Sequence, residues 1–390
     1  MTAMRAAVLR RMGATAPYAQ SRPLAIETVR LQPPGRGEVL VRVRAAGLCH
    51  SDLSVIDGSR PRPMPMLLGH EAAGEVIELG DGVDRLRTGD RVVFSFVPMC
   101  GHCGPCACGR PVLCEPGAAA NARGSLPGGA MRLRDAGDAP LHHHLGVSGF
   151  AEYAVVSQQS AVRVDPDLPP RIAALFGCAV MTGVGAVVNT AGMRPGESVA
   201  VFGLGGVGLS ALLGAAACSA WPLVAVDVVP EKLALARELG ASHCIDAREG
   251  DVAAQVREAT SGGAEHVIET AGSERVLAVA YAATRRGGTT VTVGLPAPDR
   301  SFSVPAVSLV AEERTVKGSY MGSAVPQRDI PRYIALYRAG RLPVDRLLTH
   351  TLPLDDINLG FDRLARGEAI RQVILFDDAT PDSPSGTAGT

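Results

Sequence analysis

The sequence predicts an α/β protein in two parts: a mostly β part rich in turns, and a doubly wound parallel sheet flanked by helices. Three observations carry this. Through about residue 170, short runs such as EVLVRVRAAG and EAAGEVIELG alternate apolar and polar residues between Gly, Pro and Asp, the pattern of short strands. From about residue 195 strand-like runs alternate with helix-like ones, which calls for parallel strands joined by crossover helices. The first strand of that second part runs into a glycine-rich turn, GLGGVG, that opens a helix.

The elements follow in order. SVAVF is a strand, LSALLGAAACSA a helix and PLVAVDV a second strand. PEKLALARELG is a helix with proline at its start and glycine at its end. DVAAQVREATS reads as a helix, HVIETAG as a strand, SERVLAVAYAATRRGG as a helix, then TTVTVGLP and RTVKGSY as strands. Residues 120–149, with GSLPGGA and three consecutive histidines, read as a long loop. Beyond about residue 322 come helices and a last strand, RQVILF. The tail DDATPDSPSGTAGT lacks the apolar residues needed to order itself. The expected division is 1–180, 181–322, a return to the first part over 323–376, and a disordered 377–390.

Composition bounds the function. The chain has 390 residues, 46% hydrophobic and 20% charged, enough for two well-filled domains. A net charge of −1 with no basic patch excludes an electrostatic reading as a nucleic-acid or acidic-membrane binder. The uncharged stretches 172–193 and 198–226 are long enough to suggest membrane spans. The first is poor in large apolar residues, however, and the second is broken by GLGGVG and Pro222, so buried α/β elements account for both. The first residues carry no apolar core of secretory length, and a cytoplasmic location is expected.

Five of the nine cysteines fall in CGHCGPCACGRPVLC, residues 100–114. In a reducing compartment such clustering points to metal rather than disulfides. Cys100, Cys103, Cys106 and Cys114 form C-x2-C-x2-C-x7-C, a spacing that lets one tight loop offer four thiolates to a tetrahedral structural zinc. Cys108 is either spare or the true third ligand in place of Cys106. The spacing does not match the common iron–sulfur runs.

Three further residues, Cys49, His70 and Cys178, stand in GLCHSDLS, GHEAAG and LFGCAVMTG. Two cysteines and a histidine are a ligand set for a catalytic zinc, whose fourth position stays open. Within GLGGVG, Gly203, Gly205 and Gly208 suit the tight turn, the backbone approach and the close packing of a dinucleotide site. Asp227 stands 19 residues beyond Gly208, at the end of the next strand, placed to take the ribose diol of NAD and to repel the 2′-phosphate of NADP.

Taken together, GLCHSD, LLGHEAAGEV, CGHCGPC, GLGGVG and IRQVILF resemble the medium-chain zinc-dependent alcohol dehydrogenases, in the longer form of the liver enzymes, from about residue 5 to 376. The resemblance implies a GroES-like catalytic domain and a Rossmann domain. It also implies two Zn2+ per chain, NAD, a small alcohol or aldehyde as substrate, and a homodimer. By it, Cys49, His70 and Cys178 hold the catalytic zinc, with Glu71 as a nearby carboxylate able to ligate it transiently. Cys100, Cys103, Cys106 and Cys114 hold the structural zinc, which prefers Cys106 over Cys108. Asp52 would bond to His70, and Ser51 would hydrogen-bond the substrate hydroxyl. His50 and Arg371 would touch the pyrophosphate, alongside Gly206 and Val207 of the loop. Lys232 would lie near the adenosine ribose and Thr182 near the nicotinamide. Phe96, His144 and Leu145 would line the substrate cleft.

Two positions depart from the family. Ser54 stands where many members end their proton relay with histidine, so the proton must leave by His50, solvent or ribose. Ala118 stands where the formaldehyde-oxidising branch carries the arginine for its thiol adduct, with Arg123 nearby in sequence. The main expectation is therefore an NAD-dependent alcohol–aldehyde oxidoreductase, and the alternative a thiol-adduct-dependent formaldehyde dehydrogenase.

Overall fold

A computed structural model of the chain describes residues 1–376; the expected disorder of 377–390 lies outside the described residues. Strands Thr2–Leu9, Leu24–Leu31, Leu133–Arg134, Pro140–His143 and Met66–Leu67 close into a small barrel. Beside it lies a seven-stranded sheet centred on Glu38–Gly47. One edge of that strand pairs antiparallel with Glu71–Leu79. The other is shared by Tyr153–Ser157 and, toward Gly47, by the last strand, Arg371–Leu375. Glu38–Gly47 is buried on both faces: Val39, Val41 and Val43 join the main core, while Leu40 joins the barrel core with Met4, Val8 and Leu31.

The third sheet is parallel throughout, in the order 243–246, 223–227, 199–202, 264–269, 284–292, 315–318. The chain enters at 199–202 and winds outward first one way, then the other. The reversal between 199–202 and 264–269 opens a crevice at the strand ends, where ligands bind in such sheets.

Each of the two uncharged stretches contributes a helix, and the two helices pack on each other. Ala179–Gly185 lies against Gly206–Ala217 so closely that a Cβ at Gly183 would sit 2.3 Å from the Val207 carbonyl oxygen. Small residues permit this approach, and the pair joins the parallel sheet to the rest of the molecule. Among the described residues no single helix is long and apolar enough to cross a membrane.

Two expectations need correction. Residues 120–149 are not one loop: helix Glu115–Arg123 runs into them, and Leu133–Arg134 and Pro140–His143 are barrel strands, too short to show alternation. The helix expected over SERVLAVAYAATRRGG stops at Ala283, and Thr284 begins the strand to Thr292. There Thr284 pairs with Ala264, and its hydroxyl bonds to Thr290, a tertiary demand that local propensity does not reveal.

Candidate active site

The site begins where two neighbouring strands meet end to end. Cys49 follows Glu38–Gly47 and leads into helix His50–Ile56, while His70 precedes Glu71–Leu79; Gly47 pairs with Glu71, which brings the two ends side by side. A Cβ at position 47 would lie 2.4 Å from Glu71 Oε1, so a larger residue there would displace the Glu71 carboxylate. Cys178 arrives from the other side, at the break between the turn Ala174–Gly177 and helix Ala179–Gly185. One ligand atom each of Cys49, His70 and Cys178 lies within 4.8 Å of the others, and all three residues are buried.

His70 Nδ1 is 3.1 Å from Asp52 Oδ1. That contact fixes the ring, and its Nε2 is left buried without a hydrogen-bond partner. Asp52 also accepts the backbone N–H groups of Cys49 (3.3 Å) and Gly69 (3.2 Å). A hydrogen bond from Cys178, followed by the His70 imidazole, holds the Cys49 thiol well below its ordinary range against the cost of burial. Burial pushes Glu71 up to about 7 despite its ion pair with Arg371. Two thiols, one of them readily ionised, and an orphaned imidazole nitrogen fit a zinc ion, with Asp52 as the outer partner that sets the histidine tautomer.

The second thiol group sits on the surface. Cys100, Cys103, Cys106 and Cys114 bring their sulfurs within 4.8 Å of one another, and Cys108 stays outside, exposed. The Cys114 sulfur accepts N–H bonds from Cys100 (3.2 Å) and Gly117 (3.4 Å), and the Cys100 sulfur accepts one from Cys103 (3.3 Å). Against the cost of burial, N–H bonds pull the Cys100 thiol down to about 7, while burial pushes Cys106 and Cys114 up, a penalty that a bound cation would offset. This group also fits zinc.

A cleft of about 410 Å³ connects the Cys49–Cys178 group to the crevice of the parallel sheet. Its walls include Cys49, His50, Ser51, Ser54, Phe96, Cys178 and Thr182 at one end. At the other are Gly203, Gly205, Gly206, Val207, Gly208, Asp227, Lys232 and Arg371. A Cβ at Gly208 would lie 1.8 Å from the Gly203 carbonyl oxygen, whereas one at Gly205 would meet nothing within 4 Å. The first glycine is thus fixed by packing and the second leaves room for a ligand at the helix start. Asp227 accepts the N–H of Leu204 (2.5 Å) and those of Val228 and Val229 (2.8 and 2.9 Å), so it also braces the loop. Arg371 lies against Gly206 and pairs with Glu71, linking the cofactor loop to the thiol site. Ser54 donates its hydroxyl proton to the His50 carbonyl at 2.8 Å.

His144 and Leu145 do not line this cleft. His144 is buried with Nδ1 3.2 Å from the same Asp52 oxygen, edge-on to the His70 ring at 5.6 Å. His143 is buried in the barrel, its Nε2 accepting the Arg132 N–H at 3.1 Å. The reason is local: the strand ends at His143, and the chain then folds inward, with Leu145 at φ 51° and the His144 N–H bonded to Ser148 Oγ. Ala118 and Arg123 are exposed on their helix and do not line the cleft either. Conversely, sequence reasoning misses Arg60, Leu295 and Tyr320, which do line it. Only Arg60 carries a local signal, its place in the proline-spaced run SRPRPMP.

Residues 35–166 match the family described as the alcohol dehydrogenase GroES-like domain, and residues 206–339 the zinc-binding dehydrogenase family. A geraniol dehydrogenase of Castellaniella defragrans is 43% identical over 374 residues, 95% of this chain and 97% of that protein. The chain belongs to the medium-chain zinc-dependent alcohol dehydrogenases. Solved members of the family resemble it closely. An alcohol dehydrogenase zinc-binding domain protein from Burkholderia ambifaria has a TM-score of 0.91 and 39% identity, covering 97% of this chain and 100% of that one. The benzyl alcohol dehydrogenase of Acinetobacter calcoaceticus has a TM-score of 0.90 and 32% identity over the same shares. As a member of this alcohol dehydrogenase family the chain is an oxidoreductase that binds zinc and a nicotinamide cofactor and acts on a small alcohol or its carbonyl product.

Proposed function

We propose that the enzyme oxidises primary alcohols with an apolar skeleton, of the kind represented by geraniol and benzyl alcohol, using NAD. The reading rests above all on one observation: two thiols and an imidazole with an unpartnered, buried Nε2 converge at one end of the cleft that the glycine loop closes at the other. Cys49, His70 and Cys178 would hold one zinc, and Cys100, Cys103, Cys106 and Cys114 a second. Bound at Cys49, His70 and Cys178, the ion would supply a Lewis acid that lowers the pKa of the substrate hydroxyl.

The remaining roles belong to this chain's side chains. Ser51 takes the hydroxyl proton at the cleft wall. In place of the family's histidine, Ser54 spends its hydroxyl on the His50 carbonyl, so the proton leaves through His50, exposed at the cleft mouth. Phe96 stands edge-on to His70 and to Tyr320, at ring distances of 5.1 and 6.1 Å, and makes an apolar wall beside the reacting carbon. Thr182 positions the nicotinamide, Lys232 and Asp227 the adenosine ribose, and Arg371 with His50 the pyrophosphate. Asp227 favours NAD, because a 2′-phosphate would meet its carboxylate.

A homodimer fits the edge of the parallel sheet. Strand Thr315–Gly318 is paired on one side only, and Val307 and Val310 of the preceding helix, Ala306–Ala311, are exposed (71% and 82%), leaving apolar surface for a second copy. A cytoplasmic setting fits nine free cysteines.

The test is reduction of NAD and of NADP by the purified protein over primary, secondary and aromatic alcohols, and over formaldehyde with a thiol carrier. Turnover of free primary alcohols with NAD, abolished by a zinc chelator, supports the reading. Turnover confined to the thiol adduct replaces it with the formaldehyde branch, and a preference for NADP removes the role given to Asp227.

A further inference from the structure

We propose that Arg60, backed by the charge of Arg62, recognises an anionic group on the substrate, a carboxylate carried at the far end of the molecule from the hydroxyl that is oxidised. The proposal rests on the alcohol dehydrogenase reading and narrows its substrate.

Charge in the cleft is unevenly supplied. Its walls contain a single acid, Asp227, at the adenosine end, where Lys232 and Arg371 also lie. At the alcohol end Arg60 lines the wall with Ser54, Phe96 and Tyr320, and no acid faces it. An adjoining hollow of about 360 Å³ shares Val293, Gly294, Leu295, Ser319 and Tyr320 with the cleft, and its one charged residue is Arg110, again a cation. Neither Arg60 nor Arg62 has an ion-pair partner among the described residues.

Arg62 is the less ordinary of the two. It is not among the residues that line the cleft; it is half-buried, and its Nε is buried without any hydrogen-bond partner. Burial, and then the nearby Arg60 charge, push its guanidinium below the ordinary arginine range, and it lies within electrostatic reach of Tyr320 and His144. Two cations held close together are unfavourable in the free protein, and an anion bound at Arg60 relieves that repulsion.

The backbone holds the pair ready. Arg60 precedes Pro61 and Arg62 precedes Pro63, and a residue before proline is confined to extended conformations, which limits the entropy lost on binding. Guanidinium forks suit the two oxygens of a carboxylate, which an ammonium would meet only as a point charge. Between the arginines and the thiol site, Phe96, Leu295 and Tyr320 offer apolar walls. The fitting substrate is therefore a hydroxyl group, an apolar body and a carboxylate in that order. A free hydroxy acid meets this description, and so does the carboxylate-bearing adduct of formaldehyde with a carrier thiol.

The experiment compares 4-(hydroxymethyl)benzoate with 4-(hydroxymethyl)benzamide, which share shape and differ in charge, by kcat/KM in the zinc- and NAD-containing enzyme. The expected result is a preference for the acid of about tenfold or more, carried mainly in KM and reduced by salt. In Arg60→Gln and Arg62→Gln the ratio of the two falls toward one, and in Arg60→Lys it recovers in part. Using a ratio cancels any general loss of activity in the variants. S-hydroxymethylglutathione and its diester give the same comparison for a carrier, and the larger arginine-dependent preference assigns the source. Equal use of acid and amide by the wild type, or a preference that survives both glutamine variants, overturns the proposal. If neither these alcohols nor geraniol and benzyl alcohol are oxidised, the alcohol-oxidation reading fails on its own. Calorimetric binding of benzoate against benzamide to the enzyme–NADH complex, in wild type and Arg60→Gln, then decides the arginines separately.

Discussion

The four-cysteine loop and the Cys49–His70–Cys178 group both gather their ligand atoms within 4.8 Å, yet they come together by opposite routes. The loop needs only residues 100–114, one short helical turn and a few N–H···S bonds, and three of its cysteines stay partly exposed. The other group draws on residues from 49 to 178 and needs a strand register, a glycine at 47 and a helix break at 178. Its groups are buried, and burial changes their chemistry: the Cys49 thiol is pulled down and Glu71 pushed up to about 7. A local cluster can hold a metal as a staple. Reactive, perturbed groups require a site that the whole fold assembles.

The comparison breaks if the two groups respond alike to loss of a sulfur. In Cys49→Ser, metal analysis should show one zinc fewer per chain. The rate should fall on the order of 10³-fold as several kcal/mol of transition-state stabilisation is lost, with NADH binding and melting temperature little changed. In Cys103→Ser one zinc is again lost, but the main effect is a lower melting temperature and rapid proteolysis within 95–125, because that loop has little apolar core of its own. A Cys103→Ser protein as heat-stable as the wild type would remove the staple role.

The same contrast explains what could be read in advance. The loop cysteines and GLGGVG are legible because spacing and neighbours along the chain decide them. VAVF is buried at all four positions, and the turn after it needs glycine for reasons of a few ångströms. What could not be read along the chain depends on distant partners. Arg371 reaches Glu71 only because the last strand pairs back to Glu38–Gly47. Leu133–Arg134 is a strand because Leu24–Leu31 and Pro140–His143 pair with it on either side. His144 turns to Asp52, not to the cleft, through a loop conformation that composition does not encode. Asp227 was expected as a ribose contact, while its hold on the Leu204 N–H comes from the sheet bringing two strand ends together.

A second, smaller test sharpens the comparison at the backbone. Gly47→Ala should cost about 1–3 kcal/mol and displace the Glu71 carboxylate, whose oxygen lies 2.4 Å from the added carbon's position. Gly104→Ala in the cysteine loop meets nothing within 4 Å and should stay within about 0.5 kcal/mol of the wild type. Denaturant melts of the two variants measure both. Equal costs would mean that the strand ends at the assembled site tolerate movement as freely as the surface loop does.

A pH-dependent effect tests how far the burial around the assembled site extends. His143, one residue before the histidine on Asp52, is pushed down to about 3 by burial and then by the charges of Arg132 and His142. Its unfolded value is near the ordinary 6.5. Between those limits the unfolded chain takes up a proton that the folded chain refuses, so stability is full above about pH 6.5 and falls with acid by at most roughly 1.4 kcal/mol per pH unit. The loss levels off below about 3, where the folded form also binds the proton. His143→Gln keeps an acceptor for the Arg132 N–H but cannot titrate. Its stability at neutral pH should drop slightly, by about 1 kcal/mol for imperfect packing, while its stability-versus-pH curve between 6 and 4 should be flatter than that of the wild type. Urea melts at closely spaced pH values give the two slopes. Parallel slopes would mean that water reaches the barrel histidine and that the dry region ends at Asp52.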